Sequence, residues 1–284
     1  MLMRITNLFA PLVKRWIGGS SIIDAINTTR YANEKGMGVI LNYLGEDIKD
    51  LDKVKRNLKE YILLLKFIKK YNLDSSISVK LTQIGLYINE KICEDNLSIL
   101  LKEAKKYNIK VWLDMESSKY TSKTIEIYLK GLDIYRNLGI AIQAYLKRSL
   151  NDVNKILKHE GEIRLVKGAY NEPESIAYKK KSEINKNFLK LMEILYKNSN
   201  KFTIATHDEK LIYESIKLNK IYAKNPTYAF LRGVRNDIKR YLLNYKFRVE
   251  EYIPYGEEWV GYIYRRMREK KSNILLVLTS LFTK

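Results

Sequence analysis

The side chains best suited to seizing an anion lie near the C-terminus, in Tyr252-Ile-Pro-Tyr-Gly-Glu-Glu-Trp-Val-Gly-Tyr-Ile-Tyr-Arg-Arg-Met-Arg-Glu269. An extended run over 245–252 leads into it. Pro254 and Gly256 are expected to end that run, and Glu257 and Glu258 to open a helix, where the positive end of the dipole favours carboxylates. On that helix Trp259, Tyr262, Arg266 and Glu269 share a face, with Arg265 one step round. Adjacent guanidiniums suit bidentate capture of one carboxylate or phosphate, and Glu269 can hold either fork still. A basic, solvated helix face has the same pattern.

Other polar residues stand in apolar surroundings. Lys80 lies inside an otherwise apolar run and Asp114 sits in Trp-Leu-Asp-Met. Each must find water, an ion or a counter-charge, and the two could also satisfy each other across neighbouring strands. Gln143, Arg164 with Lys167, Thr206 with His207, and Tyr252 occupy comparable positions. Arg164 and Lys167 fall on opposite faces of an extended run unless Gly168 twists them together. His207 reads equally well as a strand-end cap and as a ligand.

A repeating pattern positions these residues. Short apolar or β-branched runs cover 39–44, 76–81, 110–115, 140–145, 162–167, 201–206, 227–231 and 245–250. Longer amphipathic segments separate them, helical over 47–71 and 174–198 by the spacing of Leu58, Ile62, Leu65 and Ile68 and of Ile184, Phe188, Leu191 and Leu195. Eight such runs predict an α/β fold, a (β/α)8 TIM-like barrel with extra N-terminal helices. The competing doubly wound sheet lacks a Gly-rich phosphate loop after its first strand. The expected organisation is a helical extension over 1–38, clearest at 24–35, and a catalytic barrel over 39–284. The candidate residues then gather at the C-terminal ends of the strands, where barrels keep their active sites.

Composition narrows the classes. With 284 residues, 46% hydrophobic and 30% charged, the chain has the makings of a globular core. One cysteine, Cys93, excludes a disulfide framework, and two distant histidines give no metal-ligand spacing, so no metal is expected. The net charge of +20 suits an anionic membrane surface, nucleic acid or a thermophile's charged exterior. Its lysines are spread over nearly every helical segment without a nucleic-acid-binding signature, so no nucleic acid is expected. The apolar stretch 274–282 is too short to span a bilayer, and 1–17 is amphipathic without a cleavage site. Either end could lie on a membrane or cover the core.

Several short motifs in order resemble those of the flavin-dependent proline dehydrogenase family. They are Asn42-Tyr-Leu-Gly-Glu46, Val79-Lys-Leu-Thr-Gln-Ile-Gly85, Leu113-Asp-Met-Glu116, Gln143-Ala-Tyr145, Arg164-Leu-Val-Lys-Gly-Ala-Tyr170, Ala205-Thr-His207, Leu231 ahead of Gly233, and Arg265-Arg266. The resemblance implies noncovalent FAD and oxidation of L-proline to pyrroline-5-carboxylate. It implies that Arg265, Arg266 and Lys80 clamp the proline carboxylate, and that Tyr252 and Leu231 pack on its ring. Asp114 would belong to the catalytic hydrogen-bond network, with Arg164 beside the flavin. Met115, Gln143, Lys167, Gly168, Ala169, Thr206 and His207 would contact FAD, with Tyr170 nearby. It further implies a quinone electron acceptor at the membrane surface and a separate pyrroline-5-carboxylate dehydrogenase downstream. The location expected is cytoplasmic, peripheral on the inner face of the cell membrane.

Two positions depart from the family pattern: Arg232 replaces a common aromatic and could alter the pocket edge, and Asn171-Glu172-Pro173 differs after the Lys-Gly-Ala-Tyr motif. Hydroxyproline remains the rival substrate, a methylenetetrahydrofolate reductase-like barrel the rival flavoenzyme, and a basic binding module the rival without catalysis.

Overall fold

A computed structural model of the chain describes residues 15–259. Eight parallel strands close on themselves in sequence order. They are β1 (Gly38–Tyr43), β2 (Ser75–Val79), β3 (Val111–Leu113), β4 (Leu138–Gln143), β5 (Glu162–Val166), β6 (Phe202–Ala205), β7 (Thr227–Leu231) and β8 (Val249–Tyr255). Helix α1 (Ile22–Glu34) precedes the barrel. After β1 to β7 in turn come α2 (Leu51–Lys70), α3 (Glu90–Tyr107), α4 (Ser118–Ile134), α5 (Ser149–Leu157), α6 (Lys181–Asn198), α7 (Glu209–Tyr222) and α8 (Asn236–Asn244). The expected (β/α)8 barrel is the fold that forms.

Local chemistry sets the boundaries. Helix α2 is capped by Asp50, whose side chain accepts the Lys53 N–H at 2.9 Å, and it closes with Lys69 and Lys70 against the negative end of the dipole. Its buried Val54, Leu58, Tyr61, Leu65 and Ile68 follow the helical period. It starts later than the sequence pattern implied because Asp47 adopts φ 52° and gives its N–H to the Thr82 hydroxyl. Likewise α6 begins at Lys181, because the preceding residues form a loop fastened to the end of β4: Tyr178 N–H meets the Tyr145 carbonyl at 2.8 Å.

The last strand departs most from expectation. Residues 245–247 finish the turn after α8, and β8 runs to Tyr255, five residues beyond the expected 245–250 run and straight through Pro254. The backbone explains why. The carbonyl of Tyr252 accepts the Arg232 N–H at 3.0 Å as the last bond from β7. Pro254 is the next residue on that edge, where β7 has ended and no N–H is required. Its carbonyl instead accepts the Gly18 N–H at 2.7 Å, so the segment before α1 takes over the edge. Asn33 also binds α1 to the barrel, its Nδ2 reaching the carbonyls of Met37 (2.9 Å) and Asp74 (3.1 Å).

The lumen is packed rather than open. Ile40, Trp112, Ala205, Ala229 and Tyr252 form its centre. Gly139, paired with Trp112 across β3 and β4, leaves room for the indole, which a Cβ there would overlap. At the strand starts, charges neutralise one another: Lys201 approaches Glu162 at 3.3 Å, and Arg248 bridges Asp74 (2.6 Å) and Glu250 (3.4 Å). The opposite, C-terminal face is where the candidate site residues collect.

Candidate active site

Asp114, the first residue after β3, is the centre of that face. Its carboxylate accepts the Ser78 hydroxyl at 2.8 Å, the Tyr252 hydroxyl at 2.6 Å and an Arg164 Nη2–H. Burial pushes its pKa up, but Arg164 and then Lys80 oppose this, as do the bonds from Tyr252 and Ser78, and together they hold it below the usual carboxylate range. Arg164, from β5, is 3% exposed and also reaches Ser78 Oγ at 3.1 Å. Its guanidinium lies 5.0 Å from the Trp112 ring centre and 5.4 Å from that of Tyr252. Nη1 of Arg164 is buried with no partner among the described residues.

Lys80 lies just past β2, not inside it, and opens a one-turn 3-10 segment, Leu81–Gln83. The pairing of Lys80 with Asp114 that the sequence left open is not formed: Asp114 takes Arg164 as its ion-pair partner. Lys80 acts on Asp114 and on Glu116 through its field. The turn carrying it is held by Gln83, which bonds the carbonyls of Tyr43 (3.1 Å) and Leu44 (3.3 Å) and accepts the Tyr61 hydroxyl at 2.8 Å. Met115, next to Asp114, and Gln143, at the end of β4, are buried, and Gln143 gives its amide to the Glu116 carbonyl at 2.9 Å.

Arg164 and Lys167 diverge, as strand alternation requires. Lys167 reaches Asn185 (2.8 Å) and Asp208 (2.7 Å) at the starts of α6 and α7. An open cavity of about 650 Å³ adjoins this group, lined by Lys181, Asn185, Asp208, Lys210 and Tyr213 among others. Gly168 takes φ +104°, and a Cβ there would run into the Tyr145 ring, so glycine is required at this bend. Ala169 follows, partly buried, and Tyr170 donates to Glu46 at 3.2 Å. Thr206 caps Asp208, its hydroxyl accepting that N–H at 3.2 Å. His207 Nε2 accepts the Leu231 N–H at 3.1 Å, which leaves the neutral ring's proton on Nδ1. Leu231 and Tyr252 are direct partners across β7 and β8.

The chain matches the family model for proline dehydrogenase over residues 25–276. It is 32% identical over 271 residues to proline dehydrogenase 2 of Bacillus subtilis (strain 168), covering 94% of this chain and 89% of that protein. It is 30% identical to the proline dehydrogenase of Deinococcus radiodurans, covering 95% of this chain and 90% of that one. The chain belongs to the proline dehydrogenase family. Its fold also matches proline utilization A from Bdellovibrio bacteriovorus, solved after inactivation by N-propargylglycine, with TM-score 0.88 and 22% identity. That match covers 93% of this chain and 33% of the longer protein, so the chain spans about a third of it. Members of the family are in general flavin-dependent oxidoreductases of proline catabolism.

Measured against the residues expected for a proline dehydrogenase, the structure brings Lys80, Asp114, Met115, Gln143, Arg164, Thr206, His207, Leu231 and Tyr252 to one end of the barrel. Arg265, Arg266 and Glu269 lie outside the described residues. Arg232 is not at the pocket edge. Next to inward-facing Leu231, it points outward to Glu251, 3.7 Å away, which also binds buried Lys239 of α8. Glu172, in the departing Asn-Glu-Pro triplet, turns under the loop and takes the Ser118 N–H (2.7 Å) and hydroxyl (2.5 Å), capping α4.

Sequence reasoning missed Ser78, Trp112 and Glu116 as members of the site. A serine two positions before Lys80 shares its strand face, which was the available signal for Ser78. Among the described residues no group of His, Cys, Asp and Glu could hold a metal ion, and no helix is long and apolar enough to cross a membrane.

Proposed function

We propose that this proline dehydrogenase family member oxidises L-proline to pyrroline-5-carboxylate by hydride transfer to noncovalently bound FAD, with a quinone at the membrane surface as final acceptor. The observation that carries the reading is the Asp114–Arg164–Tyr252 network beside Lys80 at the strand ends. It sets an anion-seeking ammonium next to an aromatic wall, with a buried arginine whose Nη1 still needs an acceptor.

That unpartnered Nη1 fits a flavin. Burying a guanidinium nitrogen with no acceptor is costly, and a flavin ring nitrogen or carbonyl would satisfy it. Gln143 has spent its amide on Glu116 and keeps its Oε1 for a donor. Met115, Thr206, His207 and the bend Lys167, Gly168, Ala169 and Tyr170 would line the rest of the cofactor, and the cavity beside Lys167 gives an extended dinucleotide room beyond the mouth. Bound FAD would supply the two-electron acceptor.

The chain's own groups bind and orient. Lys80, Arg265 and Arg266 would take the substrate carboxylate, Glu269 would steady the arginines, and Tyr252 with Leu231 would fix the ring, giving the orientation that hydride transfer needs. Asp114, kept anionic, holds the Tyr252 hydroxyl and Arg164 in place. Arg164 would hold a fixed positive charge beside the bound cofactor. Solvent serves to take the proton from the substrate amine. The charge of +20 supports docking of a cytoplasmic protein on an anionic inner membrane face.

A steady-state assay with L-proline and a soluble quinone, trapping the cyclic imine with 2-aminobenzaldehyde, tests the reaction. The expected result is one imine formed per quinone reduced. Faster turnover of hydroxyproline than of proline would overturn the substrate assignment. Sedimentation with anionic liposomes at low salt tests the docking, and protein left in the supernatant would sink it.

A further inference from the structure

Glu116 is 2% exposed, and none of the roles above uses its side chain. Its Oε1 accepts the Thr82 N–H at 3.1 Å and its Oε2 accepts the Thr82 hydroxyl. Its own carbonyl accepts the Gln143 amide at 2.9 Å. Thr82 in turn receives the Asp47 N–H on its hydroxyl (2.9 Å) and the Ile48 N–H on its carbonyl (3.3 Å). Through its carboxylate and Thr82, Glu116 thus joins the segments that follow β1, β2 and β3, and through its main-chain carbonyl it holds the end of β4. Lys80 opens the same turn that holds Thr82, and its carbonyl accepts the Gln83 N–H at 3.1 Å.

The donor set suits a carboxylate better than an amide. Both groups of Thr82 that face Glu116 donate, so two acceptor oxygens satisfy them, whereas a glutamine would meet the hydroxyl with its NH2 and leave the hydroxyl hydrogen without that acceptor. A buried, unsatisfied donor there would let the turn relax, and Lys80 would move with it. A long, flexible ammonium at a barrel rim is directed only as well as the backbone that carries it.

We infer that Glu116 is a positioning residue for the substrate carboxylate, fixing through Thr82 the turn from which Lys80 projects and through its carbonyl the side chain of Gln143. This rests on the proposed carboxylate-binding role of Lys80. Glu116 acts through its neighbours and touches no substrate itself.

The test is calorimetric binding of cyclopentanecarboxylate, a ring of proline's size without the amine, to FAD-loaded protein. Lys80→Met is expected to weaken binding about tenfold, and Glu116→Gln about threefold to tenfold. The double variant should bind no worse than Lys80→Met alone, because both act on one contact. Thr82→Ser, which keeps the hydroxyl, should bind as wild type, and Thr82→Val should copy Glu116→Gln. Multiplying losses in the double variant, or wild-type affinity in Glu116→Gln with only a lower melting temperature, would overturn the inference and leave the role of Lys80 standing. Wild-type affinity in Lys80→Met would overturn both. If Glu116→Gln does not fold, the Thr82 pair carries the same comparison.

Discussion

Asp114 at the end of β3 and Tyr252 in β8 meet across the barrel mouth in a 2.6 Å hydrogen bond. The same carboxylate pairs with Arg164 of β5, so three separated strands converge on one anion. Asp114→Asn would keep the shape but leave Arg164 buried without its counter-charge. We expect kcat/KM for proline to fall about a hundredfold. Tyr252→Phe, which loses one bond and keeps the ring, should cost about tenfold. Stopped-flow flavin reduction measures both.

The pKa of Asp114 gives a second expectation. Its folded value is depressed, so the stabilisation it provides is present above the unfolded value and is lost as pH falls through the folded one. Asp114 therefore stays ionised throughout the neutral range. The pH profile of kcat/KM should show no limb near neutrality that disappears in Asp114→Asn.

Glu116 behaves in the opposite sense. Burial raises its pKa to about 7, against partial opposition from Thr82 and Lys80 and with Glu46 adding to the rise. A carboxyl whose folded pKa lies above its unfolded value favours folding below the unfolded value and loses that advantage as pH rises through 7. The shift corresponds to about 3 kcal/mol between roughly pH 4.5 and 7. Urea melts of Glu116→Gln should therefore show a flatter dependence on pH across that window than wild type. Parallel curves would contradict the assignment.

Behind the lumen-facing pair Leu231 and Tyr252, Glu251 neutralises Lys239 and approaches Arg232. Burial pushes the pKa values of both cations down, and Glu251 is the largest influence opposing it. Glu251→Gln should destabilise by about 3–5 kcal/mol because it leaves two cations in a poorly solvated place. The double variant Lys239→Met, Glu251→Leu should lose much less. Denaturant midpoints decide the comparison.

Gly168→Ala should cost about 2 kcal/mol or more, from the positive φ and the overlap with the Tyr145 ring. Adding Tyr145→Ala should recover the steric share and leave the backbone share, as read from thermal melts.

The barrel was legible because eight apolar runs alternate with amphipathic segments, and that period dictates the architecture whatever the polar details. The strand ends could be read for Asp114 and Arg164, which have no business in apolar runs unless something binds them. The course of β8 was not legible. Pro254 ordinarily stops a strand, and only the end of β7 at Leu231 makes its missing N–H harmless. Which cation would neutralise Asp114 was equally hidden. Lys80 is nearer in the chain, yet closure of the barrel sets Arg164, 50 residues away, against the carboxylate. Glu116 was missed because a lone carboxylate carries no signal until loops from other strands close over it.

The barrel mouth is proposed to oxidise proline through a bound flavin. Anaerobic titration of the FAD-supplemented protein with L-proline, followed by visible absorbance, tests it most directly. Loss of the oxidised flavin bands is expected in wild type, with a response much weaker in Asp114→Asn and in Arg265→Ala or Arg266→Ala. Flavin that binds but stays oxidised with saturating proline, or protein that binds no flavin, would contradict it.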